Sequence, residues 1–444
     1  MKRIRRAVCR RAVLAVLPPL VLVAAPAPAE AATLISQTTW GGADSEVTNG
    51  TAVASDGSTY LAGFTTSFDP AARPRIFTVK FAADASVAWQ RTWAGPETFG
   101  DDEANDVAVA SDGSLYVTGS TVGVAGDAVL LKFSPDGTLL WQNRWGGSGS
   151  DQAQAVAVGA DGSVYVSGGT SSFGSGGVFV LKFAPDGTLV WQKHWGTGEE
   201  AGQGVAVGPD GNIYVAGVAA RPAQVGASDL VLLKIDPAGV LLWQRAYAAA
   251  TNVDARGGVT VAPDGSIYVA GALQDVPAGG TVVVDALVVK FAPDGSLRWD
   301  RTWGGRSGDV AGGVGVAPDG TVLLAGDTNS FDAGSDDAFL LRLSPTGKSL
   351  DASSWGGTGI DHGDGVGVAP TGTISLGGTA QAPPYSFLRA PTRTSKPRET
   401  VSTPTAALVD AAGTLTDPAG LVGTPNGSTT FAGEFDAGLV RMAP

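Results

Sequence analysis

A unit of about fifty residues recurs along almost the whole chain, and this repeat limits the folds open to it. Each unit opens with a tryptophan, or once with a tyrosine, and successive openings lie 50 to 56 residues apart. The opening residues are Trp40, Trp93, Trp145, Trp195, Tyr247, Trp303 and Trp355. The units lack the helical periodicity of an α-solenoid. The chain is therefore expected to be all-β, with one small sheet per unit.

The unit that starts at Trp145 contains four apolar or alternating segments that are typical of strands: AVAV, SVYVSG, VFVLKF and TLVWQKHW. The dipeptides Asp161-Gly162 and Asp186-Gly187 join the first segment to the second and the third to the fourth. Such dipeptides favour tight hairpins, because glycine accepts the positive φ that these turns require. Each unit is thus predicted to be a four-stranded antiparallel sheet, the blade of a β-propeller.

The second strand of each unit has the most compact pattern and was used to count the blades. It recurs at residues 56–63, 112–119, 161–168, 210–217, 264–271, 319–326, 371–378 and, in degenerate form, 426–433. This count predicts eight blades in a single domain, residues 32–444, with a short final unit at 418–444. It requires residues 405–417 to supply two strands of the seventh unit. Seven blades is the alternative if residues 380–444 do not complete two units.

The two ends of this domain are predicted to share a blade. Residues 33–40, TLISQTTW, match the fourth-strand pattern before any unit has begun, and the final unit supplies three strands before the sequence stops. Because unpaired sheet edges promote aggregation, pairing the first strand with the last three closes the ring.

Residues 1–31 resemble a secretory signal peptide, with six basic residues, an apolar run and small residues at Ala29 and Ala31. Cleavage after Ala31 is expected, followed by an extracellular or cell-surface location. The lone cysteine, Cys9, lies in this segment, so disulfides and thiolate sites are excluded from the mature chain. Removing this segment leaves 23 Lys and Arg residues against 41 Asp and Glu residues, a formal net charge of −18. This acidity argues against nucleic-acid binding, and no later apolar run is long enough to span a membrane.

The repeat closely resembles the SBBP family of β-propeller repeats. The shared motifs are WGGxGxD at Trp145–Asp151, DGxxYVxG at Asp161–Gly168 and DAxxxKF at Asp127–Phe133. The resemblance covers essentially the whole predicted mature chain. It implies a propeller of seven blades from a secreted or surface protein, and it implies no particular activity.

An acidic residue lies ten positions before each second-strand motif in the first seven units. These residues are Glu46, Asp102, Asp151, Glu200, Asp254, Asp309 and Asp361. One hypothesis is a carboxylate collar at the mouth of the central channel that attracts cations. The alternative is that each carboxylate fixes the connection between blades. Residues 146–151 and 356–361 spell GGxGxD, a calcium-binding signature in tandem repeats, so no cofactor is expected except a weakly bound Ca²⁺.

Paired tryptophans four residues apart in the fourth strand, such as Trp141 and Trp145, fit either a carbohydrate-stacking surface or packing between blades, and repetition favours packing. Function is expected where the repeat is broken, above all in the long loop 379–404. That loop carries an aromatic and basic cluster, which is the candidate binding site. Its members are Tyr385, Phe387, Arg389, Arg393, Lys396 and Arg398.

Three functions are compatible with these patterns. The first is a non-catalytic, monomeric binding scaffold for a protein partner or a glycan. The second is an extracellular polysaccharide-active enzyme that uses carboxylates near the channel, because the two histidines of the chain leave little material for histidine chemistry. The third is a structural envelope protein with no ligand.

Overall fold

A computed structural model describes residues 32–443 except for 97–99, 122–125, 175, 197–199, 222–226, 249–251, 276–281, 332–334 and most of 382–433. Within 382–433 it describes the backbone of six short strands. The chain divides into Met1–Glu30, which lies outside the described residues, and Ala31–Pro444, which contains every strand.

The described residues form seven antiparallel sheets, the blades of a β-propeller. Blades are numbered here in chain order, and the strands of each run from the channel outward. Blade 1 contains β2 (Glu46–Val53), β3 (Thr59–Thr65), β4 (Arg75–Phe81) and β5 (Val87–Ala94). Blade 2 contains β6 (Asp102–Val109), β7 (Leu115–Thr121), β8 (Asp127–Phe133) and β9 (Leu139–Gly146). Blade 3 contains β10 (Asp151–Val158), β11 (Val164–Thr170), β12 (Gly177–Phe183) and β13 (Leu189–Trp195).

Blade 4 contains β14 (Ala201–Val207), β15 (Ile213–Ala220), β16 (Ser228–Ile235) and β17 (Leu241–Ala248). Blade 5 has a divided first strand and contains β18 (Val253–Asp254), β19 (Val259–Val261), β20 (Ile267–Asp275), β21 (Val283–Phe291) and β22 (Leu297–Trp303). Blade 6 contains β23 (Asp309–Val316), β24 (Val322–Thr328), β25 (Asp337–Leu343) and β26 (Ser349–Gly356). Blade 7 contains β27 (His362–Val368), β28 (Ile374–Ala380), β35 (Asp436–Ala443) and β1 (Thr33–Trp40).

Two glycines explain much of the local pattern of a unit. Gly162, in the Asp-Gly turn between β10 and β11, has φ +79°, a conformation that side-chain-bearing residues rarely adopt. Gly168 ends the second-strand motif, and a Cβ there would lie 1.9 Å from the carbonyl oxygen of Gln152 in the neighbouring strand. The motif thus requires glycine at a tight turn and at a close approach between strands.

The ring is closed as predicted, because β1 pairs antiparallel with β35 from Thr33 opposite Ala443 to Trp40 opposite Ala437. The innermost strand of blade 7, β27, packs against β2 of blade 1. Arg441 in β35 also donates hydrogen bonds to the backbone oxygens of Ala83 and Gly57 in blade 1. The first strand of the domain therefore completes the last blade.

The apolar core is divided into seven layers, one between each pair of neighbouring blades. The layer between blades 7 and 1, for example, contains Trp40, Phe77 and Leu439, all almost completely buried. The faces of these sheets are therefore covered by neighbouring blades, as a propeller requires.

The predicted count of eight blades is wrong, and the stated alternative of seven is found. Residues 408–410 and 414–416, predicted as strands of the seventh unit, pair instead with blades 3 and 2. The third strand of blade 7 is β35, from the predicted final unit 418–444, and that unit forms no sheet of its own among the described residues. The degenerate motif at 426–433 lies outside those residues.

The connection between β28 and β35 contributes six short strands, called here the peripheral strands, that pair antiparallel with the outer strands of the other blades. They are β29 (Ser386–Arg389), β30 (Thr394–Ser395), β31 (Thr400–Ser402), β32 (Leu408–Asp410), β33 (Thr414–Thr416) and β34 (Leu421–Gly423). In this order they join blades 6, 5, 4, 3, 2 and 1. Each of these blades thereby gains an additional outermost strand.

None of the described residues belongs to a helix long and apolar enough to cross a membrane.

Candidate functional site at the channel mouth

The first strand of six blades contains a β-bulge, at which its register with the second strand shifts by one residue, for example between Thr48 and Gly50. The extra residue has no partner in the ladder, so its side chain is free to face the central channel. The residues at the six bulges are Asn49, Asn105, Gln154, Gln203, Gly312 and Asp364. In blade 5, Arg256 lies at the break between the two parts of the first strand. They line one cavity of about 480 Å³, called here the channel mouth.

Blades 1 to 4 give the channel mouth a continuous arc of uncharged carboxamides. The side-chain nitrogen of Asn49 donates to the backbone oxygen of Ala104 at 2.8 Å, and that of Asn105 donates to Ala153 at 2.7 Å. These bonds connect neighbouring blades and leave both amide oxygens as acceptors. Gln154 makes no hydrogen bond within the described part of the chain. This arc can therefore donate to, and accept from, a hydroxyl-bearing ligand.

Blades 6 and 7 give the channel mouth a charged arc. Nδ1 of His362 lies 3.2 Å from Oδ2 of Asp327, and the backbone N–H of Gly363 donates to the other oxygen of Asp327 at 2.9 Å. The hydrogen bond that Nδ1–H of His362 donates to Asp327, together with the negative charge of Asp327, raises the pKa of His362 to about 9. Both side chains of this imidazolium–carboxylate pair are about one-third exposed, at 34% and 31%, and Asp327 lines the channel mouth.

Asp364 lies beside this pair, at the bulge of blade 7. Burial raises the pKa of Asp364 well above its ordinary value, and the charge of Asp327 raises it further. Opposite, Arg256 is 72% exposed and pairs with Asp254, with 2.7 Å between Nε and Oδ2. The charged arc thus holds one carboxyl group that retains its proton more readily than usual, beside an ion pair.

Asp106 lines a second, smaller cavity of about 160 Å³, which shares Asn49, Asn105 and Gln154 with the channel mouth. Equivalent positions in the other blades hold only glycine or alanine, such as Gly50 and Ala155. Burial raises the pKa of Asp106 to about 7, although the carboxylate accepts hydrogen bonds from the backbone of Val156 at 2.9 Å and Val107 at 2.7 Å. This carboxyl group is therefore poised to change its charge near neutral pH.

The seven acidic residues predicted as a collar occupy the same place in each blade, at or just before the first strand. Five of them accept a backbone N–H from a glycine in the preceding connection: Glu46 from Gly42, Asp102 from Gly95, Asp151 from Gly147, Asp309 from Gly305 and Asp361 from Gly357. All five are buried, and burial raises the pKa of four: Glu46, Asp102, Asp309 and Asp361. They therefore fix the connection between successive blades.

The remaining two collar residues differ from this pattern. Glu200 is half-buried just before β14, and Asp254 pairs with Arg256. Among the described residues, no group of three or more histidine, cysteine, aspartate or glutamate side chains is arranged to hold a metal ion. The structure thus repeats these carboxylates around the ring without bringing them together.

Of the predicted binding cluster, only Phe387 and Arg389 fall within the described backbone, in β29. They pair with Trp355 and Ser353 of β26, at the outer edge of blade 6. Tyr385, Arg393, Lys396 and Arg398 lie outside the described residues.

The prediction that the paired tryptophans pack between blades is confirmed. The second member of a pair is buried, and its indole nitrogen donates to a glutamine of the next blade, as Trp145 does to Gln192 at 2.6 Å. The first member donates to a proline oxygen in the next blade's turn, as Trp141 does to Pro185 at 3.1 Å. These indoles are thus occupied in holding the ring together.

Sequence analysis missed the charged arc, although a signal for it was present. The repeat is broken at Asp327, His362 and Asp364, because the equivalent positions of the other blades do not hold this combination of charged residues. In blade 3, for example, these positions are Gly169, Gln152 and Gln154. Comparing the units position by position along the first two strands would have identified them.

One family profile and several solved structures resemble parts or most of this chain. A profile of the family described as "Domain of unknown function (DUF5122) beta-propeller" matches residues 317–353, within blade 6. No curated protein matches the chain. Similar solved structures include Sqt1 from Chaetomium thermophilum, with 10% identity, 76% of this chain and 95% of that chain covered, and a TM-score of 0.41. A protein of unknown function from Dyadobacter fermentans is 11% identical, with 84% of this chain and 99% of that chain covered and a TM-score of 0.45. The polysaccharide lyase Uly1 is 9% identical, with 91% of this chain and 90% of that chain covered and a TM-score of 0.45.

Proposed function

We propose that this protein is a secreted, non-catalytic binding propeller that takes a hydroxyl-rich ligand, the end or a branch of a glycan, at the channel mouth. The observation that carries the proposal is the carboxamide arc of Asn49, Asn105, Gln154 and Gln203. Carboxamides both donate and accept, as do sugar hydroxyls, so one arc can satisfy several hydroxyl groups. A cavity of about 480 Å³ accommodates a ligand of one or two sugar rings.

The charged arc would provide selectivity within this class. Asp327 and Asp364 offer acceptors for a pair of neighbouring hydroxyls, and the imidazolium of His362 offers a charged donor. Because these groups lie on one side of the mouth only, a ligand would bind in a defined orientation. No cofactor is part of the proposal, so we expect EDTA to leave both binding and the melting temperature unchanged.

A glycan array followed by calorimetry on the purified protein tests the proposal. For a glycan that binds, Gln154→Leu and Asp327→Asn should each weaken binding about tenfold, the equivalent of one hydrogen bond to a charged or well-placed group. Asp186→Asn, at an exposed turn outside the mouth, is the control and should bind normally. An empty array, or affinity unchanged in both mouth variants, would contradict the proposal and leave a structural envelope role.

One observation favours a polysaccharide-active enzyme as the second candidate. Asp364 lies near Asp327, and its burial raises its pKa. Enzymes that cleave glycosidic bonds use two carboxyl groups in different protonation states. The glycans that bind should therefore be incubated with the protein and examined for new chain ends. Turnover that Asp364→Asn abolishes while binding persists would establish this candidate in place of the first.

A further inference from the structure

The backbone nitrogen of Ala32, immediately before β1, donates a hydrogen bond of 2.8 Å to Oδ2 of Asp351 in β26. The two residues are 319 positions apart and are 8% and 3% exposed. This contact connects the start of blade 7's closing strand to blade 6.

Asp351 is exceptional for its position. It lies four residues before Trp355, where blades 1 to 5 have a tryptophan that packs on the next blade. Those tryptophans are Trp89, Trp141, Trp191, Trp243 and Trp299. Blade 6 therefore has a carboxylate where blades 1 to 5 have an indole, and this carboxylate contacts Ala32, the residue just before the closing strand β1 of blade 7.

The buried carboxylate of Asp351 is compensated in part, by the amide N–H of Ala32 and by the guanidinium of Arg342. Within the described residues, Oδ1 of Asp351 has no hydrogen-bond partner, and the nearest cation, Nη1 of Arg342, lies 3.5 Å from Oδ2. Burying a carboxylate is costly unless charges and hydrogen bonds compensate it. An α-ammonium at the same nitrogen would bring a full positive charge and three N–H donors in place of one.

The leader-like sequence supplies such a group. The expected cleavage after Ala31, with small residues at Ala29 and Ala31, makes Ala32 the first residue of the mature chain. We propose that proteolytic removal of residues 1–31 creates a buried ion pair between the α-ammonium of Ala32 and Asp351, which fastens the closing strand to blade 6. Cleavage hydrolyses the Ala31–Ala32 peptide bond, and the released amine takes up a proton. The inference is independent of the ligand proposed above.

The test uses the full-length gene product secreted by a bacterial host. Mass spectrometry should give Ala32 as the first residue, and a mature chain that starts elsewhere would overturn the proposal. An amine-acylating reagent near neutral pH should then modify Ala32 at least about tenfold more slowly in the native protein than in urea, because labelling requires local opening. Equal rates would also overturn it.

Two variants separate the ion pair from simple burial. Asp351→Asn keeps the shape and an acceptor but removes the charge, so native Ala32 should become readily acylated and the melting temperature should fall. Asp294→Asn, at an exposed turn, should leave both unchanged. If Asp351→Asn does not fold, the pH dependence of Ala32 acylation in the native wild-type protein decides the outcome: an ion-paired α-ammonium should require a higher pH than the free α-amine in urea, and an equal or lower pH would overturn the proposal.

Discussion

The indole nitrogen of Trp355 in blade 6 donates a hydrogen bond of 2.8 Å to the side-chain oxygen of Gln37 in blade 7, across 318 residues of sequence. The same bond joins blades that are contiguous in the chain, from Trp93 to Gln142 at 2.9 Å and from Trp195 to Gln244 at 2.7 Å. The blade shared by the two ends of the domain is therefore held by the same interaction as the others.

Trp355→Phe should weaken this closure. The substitution keeps an aromatic ring in the core but removes the indole N–H that donates to Gln37, at an expected cost of about 1–2 kcal/mol in the free energy of unfolding. Urea denaturation measures the change, and Trp145→Phe, which removes the equivalent bond inside the ring, is the matched control. Hydrogen exchange should rise in β1 for Trp355→Phe alone; protection of β1 equal to wild type would contradict the expectation.

Filling a cavity at the closure should stabilise the ring. Ser36 stands where blades 1 to 5 have a packing tryptophan, and it borders an open cavity of about 550 Å³ next to Ala85. Ala85 has φ +66°, at a turn where the other blades have glycine. The double variant Ser36→Trp with Ala85→Gly restores the pattern of the repeat and should gain about 1 kcal/mol. Thermal unfolding of the double and single variants checks this, and a lower midpoint in the double variant would refute it.

The blades were predictable because each unit carries its strands, turns and glycines within about fifty residues. The pairing of β1 was also predictable, since residues 33–40 match the fourth-strand pattern. The blade count failed because short segments such as Leu408–Asp410 and Thr414–Thr416 suit any strand, and local pattern does not specify which edge they join. The motif Asp436–Arg441, similar to Asp127–Lys132, was the available signal for the third strand of blade 7.

The candidate site was less predictable, for a physical reason. A bulge is set by the pairing of two strands, so neither strand alone indicates that Asn49 or Asp364 faces the channel. The sequence places one acidic residue before the first strand of each blade, but whether these side chains converge depends on their distance from the channel axis. The sequence does not contain that distance explicitly.

The stability of the protein should fall at alkaline pH through His362. The pKa of His362 rises from 6.5 to about 9 on folding. Its contribution to the free energy of unfolding is therefore complete below about pH 6.5 and is lost as the pH passes through about 9. Asp327→Asn should return the pKa of His362 toward its ordinary value and remove this part of the pH dependence. Proton NMR of the imidazole, assigned with His194→Gln, measures both; an unchanged titration in Asp327→Asn would argue against the pair.

Asp106 should also make the stability of the protein fall as the pH rises, but at a pH closer to neutrality. Its pKa rises from 3.8 to about 7 on folding, so it favours the native state most at acid pH, and this contribution is lost as the pH rises to about 7. Asp106→Asn removes the titration and keeps one side-chain oxygen for the two backbone N–H groups, of Val107 and Val156, that the carboxylate accepts. The free energy of unfolding of the variant relative to that of wild type should therefore rise between about pH 4 and pH 7, measured by urea denaturation. A constant difference between the two proteins would contradict this.

The peripheral strands should protect the rim of the propeller rather than define its blades. Replacing residues 382–433 by the short connection of blade 6, residues 329–336, should leave seven four-stranded blades. The outer strands of six blades would then present unpaired edges, which promote association. We expect a melting temperature lower by roughly 5 °C and oligomers in light scattering. A monomer with the wild-type melting temperature would show that these strands contribute little.

The order of the peripheral strands has a consequence during synthesis. Along the chain they pair with blades 6 to 1 in turn, the reverse of the order in which those blades leave the ribosome. Each of blades 1 to 6 must therefore wait for its segment of residues 386–423 before its outer edge is covered, and blade 1, made first, is the last of the six to be covered. A nascent chain that stops before residue 386 would expose all six outer edges, so synthesis of this segment is the step before which association between unfinished chains is most favoured.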